Sequence, residues 1–264
     1  MRLCGDAVHT RRRRVECRVR VKAVVAYDGT GYGGFQRQKN APSIQAELER
    51  ALEKITQTPC PVLASGRTDA GVHAEGQVIA FDTAWPHSLS ALQRALNAVL
   101  PSQIAVLQVE VAAPNFHPRY DALRRAYRYT LYCGTVRHPL AVRYSLHVER
   151  TLNLEAMQAA AALLVGWHDF AAFGSPPVGE NTVREVYSAT WTRQGAWLYF
   201  DIEANAFLYR MVRMLVGSLL RVGYDVLSPE AFGEILRGRE RRKAGPAVAP
   251  QGLCLRYVSY AEET

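Results

Sequence analysis

A chain of 264 residues, 48% of them hydrophobic, has enough apolar material for one large core or two compact halves. Its longest apolar runs, such as Met214–Leu220, are far too short to cross a bilayer. The net charge of +8 favours a polyanionic partner through phosphate contacts and counterion release. Lysine occurs only at Lys22, Lys39, Lys54 and Lys243, so nearly all the positive charge is arginine, whose guanidinium grips phosphate in a fork and stacks on bases.

The elements follow in order. The basic run Arg11–Arg14 leads into no apolar segment, so residues 1–18 read as a basic arm rather than a secretory signal. Val19–Tyr27 alternates as a strand, and a glycine-rich loop leads to a helix that Ser43 caps, with Ile44, Leu48, Leu52 and Ile55 on one face. Short strands are expected at Pro61–Ala64 and Gly76–Asp82, a helix at Ser90–Val99 ended by Pro101, and a strand at Ile104–Val111. Two prolines break the pattern within Ala112–Arg119. A strand at Leu123–Tyr132, a helix at Asn153–Val165, and strands at Arg184–Thr192 and Ala196–Glu203 around Gln194-Gly195 come next. The spacing of Leu208, Val212, Leu215, Leu219 and Val222 predicts a long helix over Phe207–Val222. Ser228 and Pro229 start another helix, and Leu253–Tyr260 is the last strand.

Each half therefore reads β-α-β-β-α-β, the ferredoxin-like arrangement, over residues 19–112 and 113–264. The expected fold is α+β. Two mixed, mostly antiparallel sheets join edge to edge into one extended sheet, with helices on one side and an open RNA-binding cleft.

The five cysteines are odd in number and lack C-x-x-C spacing, which fits reduced thiols in a cytoplasmic protein. The seven histidines form no H-E-x-x-H pair, and no metal is expected. Gly29-Thr30-Gly31-Tyr32-Gly33-Gly34 satisfies G-x-G-x-x-G after a strand. A dinucleotide site also needs the last glycine to open a helix, whereas Phe35–Pro42 intervene here, so the glycines read as a loop that approaches RNA. The segment Ala64–Ala74 packs small residues, Arg67, Asp69 and His73 between two strands. Taken alone, Asp69 could be a turn residue bonded to its own backbone; an acid on a tight loop of so basic a protein is also a candidate for chemistry.

Arg67-Thr68-Asp69-Ala70-Gly71-Val72-His73 resembles the signature loop of the tRNA pseudouridine synthase A (TruA) family. Tyr27–Gln38, Phe116–Tyr120, Arg125–Tyr129, Asn205-Ala206-Phe207 with Met211-Val212-Arg213, and Gly252–Leu255 resemble that family's other motifs, in the same order. The resemblance implies that Asp69 is the catalytic aspartate, Arg213 its basic partner, Arg67 the arginine that helps to open the RNA, and Tyr127 the aromatic packed on the target base. Leu253 is implied as a pocket wall, and Phe116, His117, Pro118, Arg119 and Tyr120 as an RNA-contacting segment that Asp169, Phe170 and Phe173 join from the other half. His73 is read as loop support. The resemblance further implies uridines at tRNA positions 38, 39 and 40 of the anticodon stem-loop, and a homodimer.

Uridine becomes pseudouridine when the N1–C1′ bond breaks, the base turns, and C5 joins C1′. No atoms are gained or lost, so neither cofactor nor metal is required. An ionised Asp69 serves as nucleophile or base, attacking C1′ or C6 or removing the 2′-proton, and the uridine must leave its stack to reach it. The rival functions are a non-catalytic RNA-binding protein and a base-releasing nucleosidase; the latter usually shows two carboxylates.

Overall fold

The computed structural model describes residues 18–176 and 179–261, so the expected basic arm lies, but for Arg18, outside the described residues. The first strand, β1 (Val19–Tyr27), buries Val21, Ala23, Val25 and Tyr27 by simple alternation. Helix α1 (Ile44–Thr56) begins where Ser43 accepts a hydrogen bond from the Ala46 amide at 3.3 Å. Its buried face of Ile44, Leu48 and Leu52 lies on β1, each side chain contributing about 1.5–3 kcal/mol by burial. Pro59 and Pro61 confine β2 to Leu63–Ala64, and β3 (His73–Thr83) follows. Helix α2 (Leu89–Val99) and β4 (Ile104–Val111) complete the first set of elements.

After a coil carrying Pro114 and Pro118, the same order recurs: β5 (Arg124–Cys133), α3 (Leu154–Ala162), β8 (Val183–Gln194), β9 (Trp197–Ala204), α4 (Met211–Gly223) and β10 (Leu253–Ser259). Two short strands, β6 (Leu146–Val148) and β7 (Gly166–Asp169), and helix α5 (Pro229–Gly238) are inserted. The sequence pattern missed β6 and β7, because segments of three and four residues are too short to establish an alternation. It also started α4 four residues early: Phe207–Arg210 is loop, and Arg210 turns left-handed at φ 62° before the helix begins.

The strands form one sheet in the order β4-β1-β3-β10-β5-β9-β8-β7, with β2 on β3 and β6 on β5. The orders β4-β1-β3-β2 and β10-β5-β9-β8 repeat one pattern, and only the β3–β10 and β5–β6 pairs are parallel. The seam is the β3–β10 pair. Because β2 covers only Ile79 and Ala80 of β3, the other end of that edge, His73 and Ala74, stays open for Cys254 and Leu255. The loop joining β2 to β3, residues 65–72, therefore turns at the junction of the two sets of strands.

Leu255 packs in the core under α1 and α2, while Leu253, two residues back on the same face, packs in the core under α3, α4 and α5. Both helical layers thus cover one side of the sheet. On the reverse side a smaller cluster holds Val78, Ala80, Ala112 and Phe116. Among the described residues no helix is long and apolar enough to cross a membrane.

Candidate active site

The 65–72 loop is fixed from several directions. Ser65 donates its amide to Val78 O at 2.8 Å and its hydroxyl to Gln77 Oε1 at 2.5 Å, while Gln77 Nε2 donates to Gly66 O at 3.0 Å. The Tyr27 hydroxyl meets Thr68 Oγ1 at 2.9 Å, Phe35 N donates to Thr68 O, and Gly71 N to Tyr32 O. Ser65, Thr68, Gln77 and Tyr27 are all buried, so these bonds face little competition from water. Gln77 and Tyr27 were not legible as site residues. Their sequence signal is only that of strand positions, and burial alone gives their polar atoms a single set of partners.

The glycine run, of which Gly33 and Gly34 line the cleft, also has a use within the protein. A Cβ at Gly29 would collide with the Val72 carbonyl, and one at Gly34 would sit 2.7 Å from Thr68 O. These glycines make room for the protein's own 65–72 loop. Gly34 also has φ +110°, which L side chains rarely adopt. Gly34→Ala is expected to cost about 2–3 kcal/mol of stability and to lower kcat at least tenfold by shifting the loop. Gly31→Ala, with φ +82° but nothing within 4 Å, should cost about 1–2 kcal/mol and keep kcat. Thermal melts and steady-state rates on the two variants separate close approach from backbone strain.

Asp69 meets Arg213 across 144 residues of chain. Arg213 Nη1 donates to Asp69 Oδ2 at 2.8 Å, and Arg213 Nε donates to Val248 O at 2.7 Å. The two side chains are 13% and 16% exposed, so the pair is shielded yet reachable from the cleft. Residues 244–250 run along α4 to hold the guanidinium: Val248 N donates back to Arg213 O, and Gly245 N donates to Ser218 Oγ at 2.7 Å. Gly217 permits this approach, because a Cβ there would strike the Pro246 carbonyl. The face of Arg210, Arg213, Gly217 and Arg221 is therefore covered in part by this segment and is not a plain solvated stripe.

Tyr127 points to the helical face of the sheet beside its register partner Leu255, with Phe207 edge-on at 5.1 Å. Burial pushes its phenol well above the usual range, so it remains neutral through physiological pH. Leu253, 6% exposed, lines the same space, and Arg67 is exposed at its mouth. Arg125, two residues before Tyr127 on the same face, has a role the sequence did not reveal. It donates to the carbonyls of Ser65, Arg119, Ala122 and Asn205, tying the 65–72 loop to the coil after β4 and to the loop before α4. Arg128, by contrast, pairs with Asp201 at 2.8 Å.

His117, Arg119 and Tyr120 line the cleft, and Tyr120 is 75% exposed. Phe116 and Pro118 do not join them: Phe116 packs edge-on against Tyr260 on the reverse face, and the Pro118 carbonyl accepts from the Tyr260 hydroxyl. They anchor the segment. The RNA contacts expected of Phe170 and Phe173 are corrected, and Asp169 is not among the residues that line the cleft. Both phenylalanines are 0% exposed in the core, where Phe173 packs against Phe232. Asp169 accepts from Thr182 Oγ1 and the Ala171 amide and pairs with Arg239, away from the cleft. His73 also lies outside the cleft. Its Nδ1 accepts from the Gly29 amide and its Nε2 faces the Arg143 carbonyl, which makes it a brace between the two halves.

The cleft encloses about 1090 Å³. Among the described residues its lining includes Arg37, Arg67, Arg119, Arg125, Arg184, Arg210 and Arg213, and a single carboxylate, Asp69. Walls this cationic raise the local concentration of a polyanion.

The profile of a family described as tRNA pseudouridine synthase matches residues 23–121 and 160–261. A tRNA pseudouridine synthase A of Syntrophotalea carbinolica is 45% identical over 92% of this chain and 97% of that protein. One of Moorella thermoacetica is 45% identical over 91% and 99%, and one of Chloroflexus aurantiacus 43% identical over 91% and 88%. With matches of this extent laid over the paired Asp69 and Arg213, the chain belongs to the tRNA pseudouridine synthase family and is an isomerase acting on tRNA.

Proposed function

We propose that the protein isomerises uridines at positions 38, 39 and 40 of the tRNA anticodon stem-loop, with Asp69 as the nucleophile, acting in the cytoplasm as a homodimer. The observation that carries the chemistry is the position of Asp69: the one carboxylate in an arginine-lined cleft, bonded to Arg213 at 2.8 Å and sharing the cleft with Tyr127. The single acid favours isomerisation over hydrolysis, for which a second carboxylate would serve as acid or base.

In this reading the target uridine is extruded into the cleft, and Arg67, exposed at the mouth, takes up the space it leaves or holds its phosphate. Tyr127 stacks on the uracil, an interaction worth about 1–3 kcal/mol per base, and Leu253 closes the other side. The neutral phenol places no charge against the base. Asp69, hydrogen-bonded to Arg213, starts the reaction at C1′, at C6 or at the 2′-proton. The base then turns and C5 bonds to C1′, with the C5 proton lost and N1 protonated.

The deciding experiment incubates uridine-labelled tRNA with the purified protein and analyses nucleosides by position. Pseudouridine at 38, 39 or 40 is expected. Free uracil would identify a nucleosidase instead, and binding without conversion a non-catalytic RNA-binding protein. Arg119→Ala should weaken tRNA binding and make the log–log salt dependence shallower by about one unit; an unchanged slope removes Arg119 from the RNA contacts.

A further inference from the structure

Arg184 lies at the start of β8 and lines the cleft, but no motif pointed to it. By alternation it shares the face of Val186, the side of the sheet that holds Tyr127 and the helices. Its Nη1 donates to the carbonyls of Asn181 at 3.1 Å and Val183 at 2.6 Å. Its Nε is shielded from solvent and has no hydrogen-bond partner. Among the described residues no carboxylate pairs with it. Partial burial, and then the like charge of Arg125, depress its guanidinium below the usual arginine value.

A half-buried cation with a like-charged neighbour and no counterion opposes folding, and an anionic ligand removes that opposition. Arg125 itself is already committed to four carbonyls. What Arg184 leaves available is Nη2, which has no hydrogen-bond partner among the described residues and, unlike Nε, is not shielded from the cleft that the side chain lines.

We propose that Arg184 binds a backbone phosphate of the RNA strand carrying the target uridine, with a non-bridging oxygen accepting from Nη2. The proposal rests on the reading of the cleft as the RNA site. Arg37 and Arg67 come from the first set of elements and Arg184 from the second, so the strand is gripped from both walls.

The test measures the affinity of wild type, Arg184→Gln and Arg184→Lys for full-length tRNA across a salt series, with kcat and KM for each. Arg184→Gln should bind about tenfold more weakly and show a slope shallower by about one unit, with KM raised to match and kcat within about twofold. Arg184→Lys should recover the slope but only part of the affinity, because it keeps the charge but not the planar guanidinium that the Asn181 and Val183 carbonyls hold in place. An unchanged slope in Arg184→Gln overturns the assignment. So does an equal loss in both variants accompanied by a lower melting temperature, which would assign the residue to holding Asn181 and Val183. A wild-type protein that leaves tRNA unmodified counts against the catalytic reading alone, since the salt slope is read from binding.

Discussion

Asp69→Asn should abolish pseudouridine formation, by roughly 10⁴-fold or more, while tRNA affinity stays level or rises slightly. The amide is nearly isosteric, and its oxygen still accepts from Arg213 Nη1. None of the loop's fixing bonds uses the Asp69 side chain; they run through Ser65, Gln77, Thr68 and Gly71. The fold is therefore untouched, and what disappears is the negative charge that lets the oxygen attack carbon or remove a proton. The cleft also loses its one carboxylate, which sharpens its attraction for phosphate. Position-resolved nucleoside analysis alongside a binding isotherm separates the two effects. Wild-type turnover in Asp69→Asn would eliminate the nucleophile assignment.

Arg213→Lys should lower kcat by about 10²–10³-fold with KM within a few-fold. Arginine at this site does two things at once: Nε holds the Val248 carbonyl at 2.7 Å while Nη1 reaches Asp69 at 2.8 Å. A lysine ammonium preserves the charge but is a point donor without a planar fork, and cannot hold both acceptors in this geometry. A displacement of about 1 Å in a reacting group is enough for a loss of the order of 10². Arg213→Met should lose more, since it also leaves a shielded carboxylate without its cation. Single-turnover kinetics at saturating tRNA give the comparison. An Arg213→Lys enzyme with normal kcat would mean that charge alone matters and the Val248 anchor does not.

Much of this protein was legible locally. The alternation in Val19–Tyr27, the caps at Ser43 and Ser228, and the apolar spacing from Leu208 to Val222 each reflect a preference that a few neighbouring residues settle among themselves. The signature loop and the motifs in series identified the family and nominated Asp69, Tyr127 and Arg213. Where the reading failed, it failed on facing. Phe170 and Phe173 stand in a polar, turn-rich stretch that reads as surface, yet both are sealed against α5 and the core. The G-x-G-x-x-G run suggested an approach to a ligand; Gly33 and Gly34 do line the cleft, but the pattern gave no sign that Gly29 and Gly34 also make room for the chain's own loop.

By itself, then, the sequence determined the elements, their repeated order, the basic character of the surface and the chemistry-bearing loop, because each depends on spacing within one segment. Only the tertiary structure decided that a two-residue β2 leaves half an edge of β3 for β10, and so puts Asp69 at the seam. It also decided that Arg125 ties three loops together, that Arg213 holds the Val248 carbonyl while it reaches Asp69, and that Arg184 lines the cleft with no carboxylate partner among the described residues. The physical reason is separation along the chain. A periodic pattern says which face of an element is apolar, but partners 60 or 144 residues apart are chosen by which faces pack together.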